Sequence, residues 1–126
     1  MSEPKRTATS SLGEILVIEL LDSQITEYEQ SQELRQEIVS AIETSDSSQV
    51  IIDMKNVTYL TSVALFIFVD ARAATEARDG RTVICNLAEV PLKVLTVTQL
   101  LVERRSSANY LQMAEDIDSA VTLLQS

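Results

Sequence analysis

Three short apolar runs, "ILVIEL" (15–20), "QVIIDM" (49–54) and "RTVICNL" (81–87), constrain the fold of this 126-residue chain most tightly. Each has the length of a strand, and their apolar residues are nearly continuous. A strand of that kind needs cover on both faces, as in a parallel sheet between helices. The segments between them change period. Leu34, Ile38, Ala41 and Ile42 recur at helical spacing, which predicts an amphipathic helix. Thr26 and Glu29 have the spacing of a capping box, placing its start near residue 27, and "SDSS" (45–48) ends it. A second helix is expected from about 62 to 79, closed by "DG".

Further along, "VPLKVLTV" puts Pro91 in a helix's first turn, where its missing N–H costs nothing. "NYLQM" (109–113) reads as a short final strand after a basic, polar loop, "VERRSS" (102–107). Ile117, Ala120, Val121 and Leu124 predict a last amphipathic helix. Residues 1–11 read as a flexible tail or a weak first strand, followed by a turn at "LGE" (12–14). Residues 12–126 form the domain. Strands alternating with helices imply a single α/β fold. Its mostly parallel or mixed central sheet should hold about four to five strands, with about four helices.

Composition then excludes several functions. Nineteen acidic against ten basic residues give a formal charge of −9. That field repels a phosphate backbone and an anionic membrane surface, so neither nucleic acid nor membrane is an expected partner. No apolar run reaches the roughly 18 to 20 residues that span a bilayer, and "MSEPKRTATSS" lacks the core of a signal peptide. A cytoplasmic location is the expectation. Cys85, the only cysteine, lies among apolar residues and reads as a core thiol.

Catalytic chemistry finds little to work with. The chain has no histidine and only Gly13 and Gly80, so the commonest general base and every Gly-rich phosphate loop are missing. Glu27, Glu29, Glu33 and Glu37 fall on the first helix and read as its solvated face. Asp22, alone in a loop, would hold a cation only weakly, and nothing in the spacing pairs a serine with Lys93 as base. The chain reads as non-enzymatic, with no cofactor.

What remains is "VTYLTSVALFIFVDARAATEARDG" (57–80). Thr61 and Ser62 stand at the mouth of the second helix, beyond the carboxyl end of a strand, where sites of α/β sheets gather. Either hydroxyl suits a helix N-cap. The same position tolerates an anion, since phosphate would meet free N–H groups and the positive end of the helix dipole. Taken as one regular helix from Ser62, the segment puts Ser62, Phe66, Val69, Ala73 and Ala77 on the inner side, with Val63, Ile67 and Ala74 beside them. Arg72, Thr75, Glu76, Arg78 and Asp79 then mark the wet side, with Ala64, Leu65 and Phe68 projecting toward it. Exposed Leu and Phe there would be a docking patch, or be covered by another element.

"VIIDMKNVTYLTSVAL", the apolar helix after it, "GRTVICNL" and "VPLKVLTVTQL" together resemble the STAS domain, typified by bacterial anti-sigma factor antagonists. The family pattern runs Asp-Leu/Met, two residues, Val, two residues, Asp-Ser-Ser-Gly-Leu. The resemblance spans roughly residues 12 to 125 in the family's order of elements. It implies that Ser62 is phosphorylated by a partner serine kinase of histidine-kinase-like ATPase fold, which doubles as an anti-sigma factor. It also implies a metal-dependent serine phosphatase that resets the switch, and a monomer or weak dimer.

Thr61 is the substitute phosphoacceptor. The implied contact surface is Asn56, Thr58, Thr61 and Ser62 with Ala64, Leu65, Phe68 and Thr26. The chain departs from the pattern at Thr61, Val63 and Ala64, which replace Asp, Ser and Gly, and Thr26 stands where an acidic residue is common. Two other readings belong to the same fold: an unphosphorylated scaffold of a signalling assembly, and a module binding nucleotide or lipid.

Overall fold

The computed structural model describes residues 5–97 and 112–125. The elements run β1 (Thr7–Leu12), β2 (Ile15–Leu20), β3 (Gln24–Ile25), α1 (Tyr28–Thr44), β4 (Gln49–Asp53) and β5 (Tyr59–Leu60). A 3-10 turn (Ser62–Ala64) then leads into α2 (Leu65–Glu76), β6 (Arg81–Cys85), α3 (Glu89–Val97), β7 (Gln112–Ala114) and α4 (Ile117–Gln125). The main sheet is five-stranded in the order β1-β2-β4-β6-β7, and β3 and β5 form a separate two-stranded ribbon. Only β1 is antiparallel to its neighbour; β2, β4, β6 and β7 are parallel. The sheet is therefore mixed, and the polar N-terminal stretch supplies its first strand.

The apolar runs are buried on both faces, as their composition requires. Leu16, Ile18, Leu20, Val50, Ile52 and Ile84 meet α1, α2 and α3 in one core. The alternate residues Ile15, Val17, Ile51, Val83 and Cys85 meet α4 in a second. Each fully buried Ile or Leu contributes about 1.5–3 kcal/mol, so a one-residue slip of any central strand would exchange the two faces at heavy cost. No helix among the described residues is long and apolar enough to cross a membrane.

Two local expectations shift. The N-cap of α1 is Glu27, with its capping box closed by Gln30, one residue beyond the Thr26–Glu29 pair. Gln30 Oε1 accepts both the Thr26 and Glu27 N–H groups, and its amide also reaches Asp22 and the Gln24 carbonyl, which settles the choice. Glu33 and Glu37 are not merely solvated. Glu37 accepts the backbone N–H groups of Arg6 and Thr7 and the Thr7 hydroxyl, while Arg6 bridges Asp22 at 2.6 Å and Glu33 at 2.8 Å. Together they fasten β1 to α1. The described part of β7 is Gln112–Ala114; the rest of "NYLQM" and the loop at 102–107 lie outside the described residues.

The turn from α2 into β6 leaves no room for a side chain at Gly80. A Cβ there would lie 1.6 Å from the Ser48 carbonyl oxygen, the same carbonyl that accepts the Arg81 N–H at 3.1 Å. Gly80→Ala should therefore destabilise the fold by about 1–3 kcal/mol or more through overpacking. Gly13→Ala meets open space but keeps a φ of 61°, and should cost less, about 1 kcal/mol. Chemical denaturation of both variants checks the order.

Candidate functional site

β4 runs between β2 and β6 in register, with Asp53 beside Glu19 on one side and Cys85 on the other. Asp53 is nearly buried, and its Oδ1 accepts the Lys55 N–H at 3.0 Å and the Asn86 side-chain N–H at 2.9 Å. That pair of bonds satisfies an otherwise costly buried carboxylate and stops the strand. Asn86 has a φ of 59°, a left-handed conformation that Asn tolerates better than most residues.

The loop that follows is pinned from inside. Met54, Val57 and Leu60 are buried, and Val57 N–H donates to the Met54 carbonyl. Asn56 donates to Glu19 Oε2 at 2.7 Å and to the Leu20 carbonyl at 3.0 Å, so its amide is committed to the end of β2. Thr58 N–H donates to the Ser23 carbonyl and Thr61 N–H to the Ile25 carbonyl. With the β3–β5 ribbon, these bonds bring the loop beside the start of α1. Ser31, buried in α1, donates to the Val63 carbonyl at 2.7 Å, which ties the 3-10 turn to the same place. One surface at the carboxyl ends of β2 and β4 thus holds Thr26, Thr58, Thr61 and Ser62.

Ser62 is exposed and Thr61 half-exposed. Neither expected cap bond forms: Thr61, the N-cap of the 3-10 turn, makes no side-chain cap bond, and α2 proper starts from Ala64 without one. The turn is closed by backbone instead, through Ala64 N–H to the Thr61 carbonyl. The Ser62 hydroxyl therefore has no capping duty, and it sits at the positive end of α2.

The face of α2 is rotated from the expected one: Ile67 is inside and Glu76 and Asp79 outside as expected, but other positions exchange. Ala64 and Phe68 are fully buried with Ile67, Ala71 and Thr75, and Leu65 is half-buried against the same core. Ala64 and Phe68 are therefore not part of an exposed patch. Phe66, expected inside, is 58% exposed. The error lay with Thr75, whose hydroxyl reads as a wet-side marker but donates to the Arg72 carbonyl and lies 2.7 Å from the Thr82 hydroxyl. A hydroxyl satisfied in that way is comfortable in the core. With Thr75 inside, 64, 67, 68, 71 and 75 form an ordinary apolar stripe.

The exposed apolar groups at this end of the fold are Leu21, 45% exposed just past β2, and aromatic side chains. Tyr28 is 65% exposed at the first turn of α1, and Tyr59 is 45% exposed between the buried Val57 and Leu60. Sequence reasoning missed all three aromatics. The alternation Val57-x-x-Leu60 around Tyr59, and the stripe through Phe68, were the signals that could have found two of them.

Among the described residues no group of His, Cys, Asp and Glu is placed to hold a metal ion. Cys85 closes β6 beside Asp53, fully buried. Burial, helped by the charges of Asp53 and Asp116, pushes its thiol up to about 12. The thiol should thus remain protonated and react with maleimide at least tenfold more slowly in the native protein than in denaturant at pH 8. Because the folded thiol ionises later than the unfolded one, its contribution to stability is intact below about pH 9 and fades as pH rises toward 12.

Comparison with known proteins agrees with this arrangement. The STAS domain model matches residues 12–120. No curated protein sequence matches the chain. Among solved structures, a STAS domain protein of Planctomyces limnophilus is similar at a TM-score of 0.77 and 16% identity, covering 95% of this chain and 98% of its own. RsbS of Moorella thermoacetica, carrying a Ser-to-Glu substitution, gives 0.71 and 12%, with 96% of each chain covered. The anti-sigma factor antagonist SpoIIAA in its unphosphorylated form gives 0.66 and 16%, covering 94% of this chain and 97% of its own. With its sheet order, its helices and the match over residues 12–120, the chain belongs to the STAS domain family.

Proposed function

We propose that this STAS domain is an anti-sigma-factor-antagonist-like switch, non-enzymatic and cytoplasmic, whose binding to a serine kinase is controlled by phosphorylation of Ser62. The observation that carries the reading is the position of Ser62: exposed, free of capping duty, and at the mouth of α2. A kinase can reach that hydroxyl without unfolding anything. Once attached, phosphate would face the N-terminal N–H groups of the 3-10 turn, which favour an anion.

The contact surface that fits this reading differs in part from the sequence expectation. Thr26, Thr58, Thr61 and Ser62 stay in it, Tyr28, Tyr59 and Phe66 join it, and Ala64 and Phe68 leave it. Exposed aromatics suit a protein partner, since such rings anchor interfaces. Charge suits a basic partner surface, given the net −9. A doubly charged phosphate introduced there would have to lose its water against a partner that had packed on the unmodified serine, and that desolvation cost disfavours binding. Resetting requires a serine phosphatase, here a metal-dependent one.

A second reading, a scaffold that never carries phosphate, is favoured by Thr61 in place of an Asp beside the serine. The two part at a single residue. Incubation with the cognate serine kinase, ATP and magnesium should place phosphate on Ser62, located by mass spectrometry, and Ser62→Ala should abolish it. Modification at Thr61 alone would move the site by one residue. No modification by a kinase active on itself would leave the scaffold reading.

A further inference from the structure

β1 is bonded on one edge only, through its antiparallel ladder to β2, and every residue after Thr7 is exposed. The ladder closes at Leu12 and Ile15 across the two-residue turn Gly13–Glu14, and Leu21 N–H donates to the Arg6 carbonyl at 2.9 Å. Two-residue hairpins close on a hydrogen-bonded pair, and bonding alternates along an antiparallel strand. Both ends therefore set the same phase. Ala8, Ser10 and Leu12 bond toward β2, while Thr7, Thr9 and Ser11 point their backbone groups out of the sheet. The Thr7 N–H is taken by Glu37 Oε1 at 3.1 Å. Thr9 and Ser11 keep outward donors and acceptors that no side chain among the described residues occupies.

Edges are normally guarded by charge, proline or cover. "TATSSL" has neither charge nor proline. On the α1 side the strand borders an open groove of about 820 Å³, lined by Thr9, Ser11, Gln36, Ser40 and Thr44 among others. On the opposite side Leu12 is 45% exposed.

We propose that β1 pairs antiparallel with β1 of a second copy of this chain, about a two-fold axis at Ser10. In that register the Thr9 N–H meets the carbonyl of the partner's Ser11, and the Ser11 N–H meets the carbonyl of the partner's Thr9. Each free donor thus finds a free acceptor. Leu12 lies across from the partner's Ala8 on the face away from α1, twice over by symmetry, which covers the exposed leucine. Hydrogen bonds and apolar pairs are complementary in the same register, and this self-complementarity marks a second copy rather than a foreign strand as the occupant. The −9 of each copy opposes approach, but at physiological ionic strength that field is screened over about 8 Å.

The proposal does not depend on Ser62. Sedimentation of the full chain over a range of concentrations should show a monomer–dimer equilibrium. Ser10→Glu and Ser10→Lys, each confirmed as folded by circular dichroism, should weaken it at least tenfold alone, because like charges meet on the axis. Mixed in equal amounts, they should associate again. Ser10→Cys should give a covalent dimer under mild oxidation, the buried Cys85 taking no part. A wild-type chain that sediments as a monomer throughout overturns the proposal. So does a dimer that Ser10→Glu leaves intact, a mixture that does not reassociate, or a folded Ser10→Cys protein that fails to cross-link.

Discussion

The buried carboxylate of Asp53 is the interaction on which the site depends. It closes the central strand, accepts the Lys55 N–H and the Asn86 amide, and so joins the ends of β4 and β6 at the point where the chain leaves the sheet. From there the route is determined by core anchors. Met54, Val57 and Leu60 are held inside, and the residues between them have only the surface left. Thr61 and Ser62 arrive at the mouth of α2 because the loop is too tightly pinned to go elsewhere.

Packing then decides what that surface shows. Parallel strands need helices on both faces, and α1 and α2 lie side by side over one of them. Ser31 holds the start of α2 through the Val63 carbonyl, Arg35 pairs with Asp70 at 3.2 Å, and Arg78 donates to the Ile42 carbonyl at the end of α1. These polar ties run the length of the helix pair. They fix the rotation of α2, burying Phe68 and presenting Phe66. The methyl group of Ala64 belongs to the core.

The architecture was legible because the two periods of the sequence are clean. "ILVIEL" and "QVIIDM" admit no face for water, and Leu34, Ile38 and Ile42 admit only one helix rotation. The site was legible in position but not in detail. Ser62 could be placed from the order of elements, whereas the rotation of α2 could not, because a uniformly apolar first half offers no contrast. Its phase rested on polar markers in the second half, and Thr75 misled by satisfying its hydroxyl internally. Glu37 misled similarly: a carboxylate on a helix looks solvated until a distant strand, β1, brings it three hydrogen-bond donors.

Ser62 is thus a surface hydroxyl that packing presents and capping leaves free. The central claim is that one phosphate there changes what a partner meets while leaving the fold alone. Isothermal titration of the cognate kinase with the unmodified protein and with the protein phosphorylated at Ser62 tests it most directly. The account predicts tight binding of the unmodified form and at least a hundredfold loss on phosphorylation, with the thermal midpoint unchanged. Equal affinities for the two forms would contradict it.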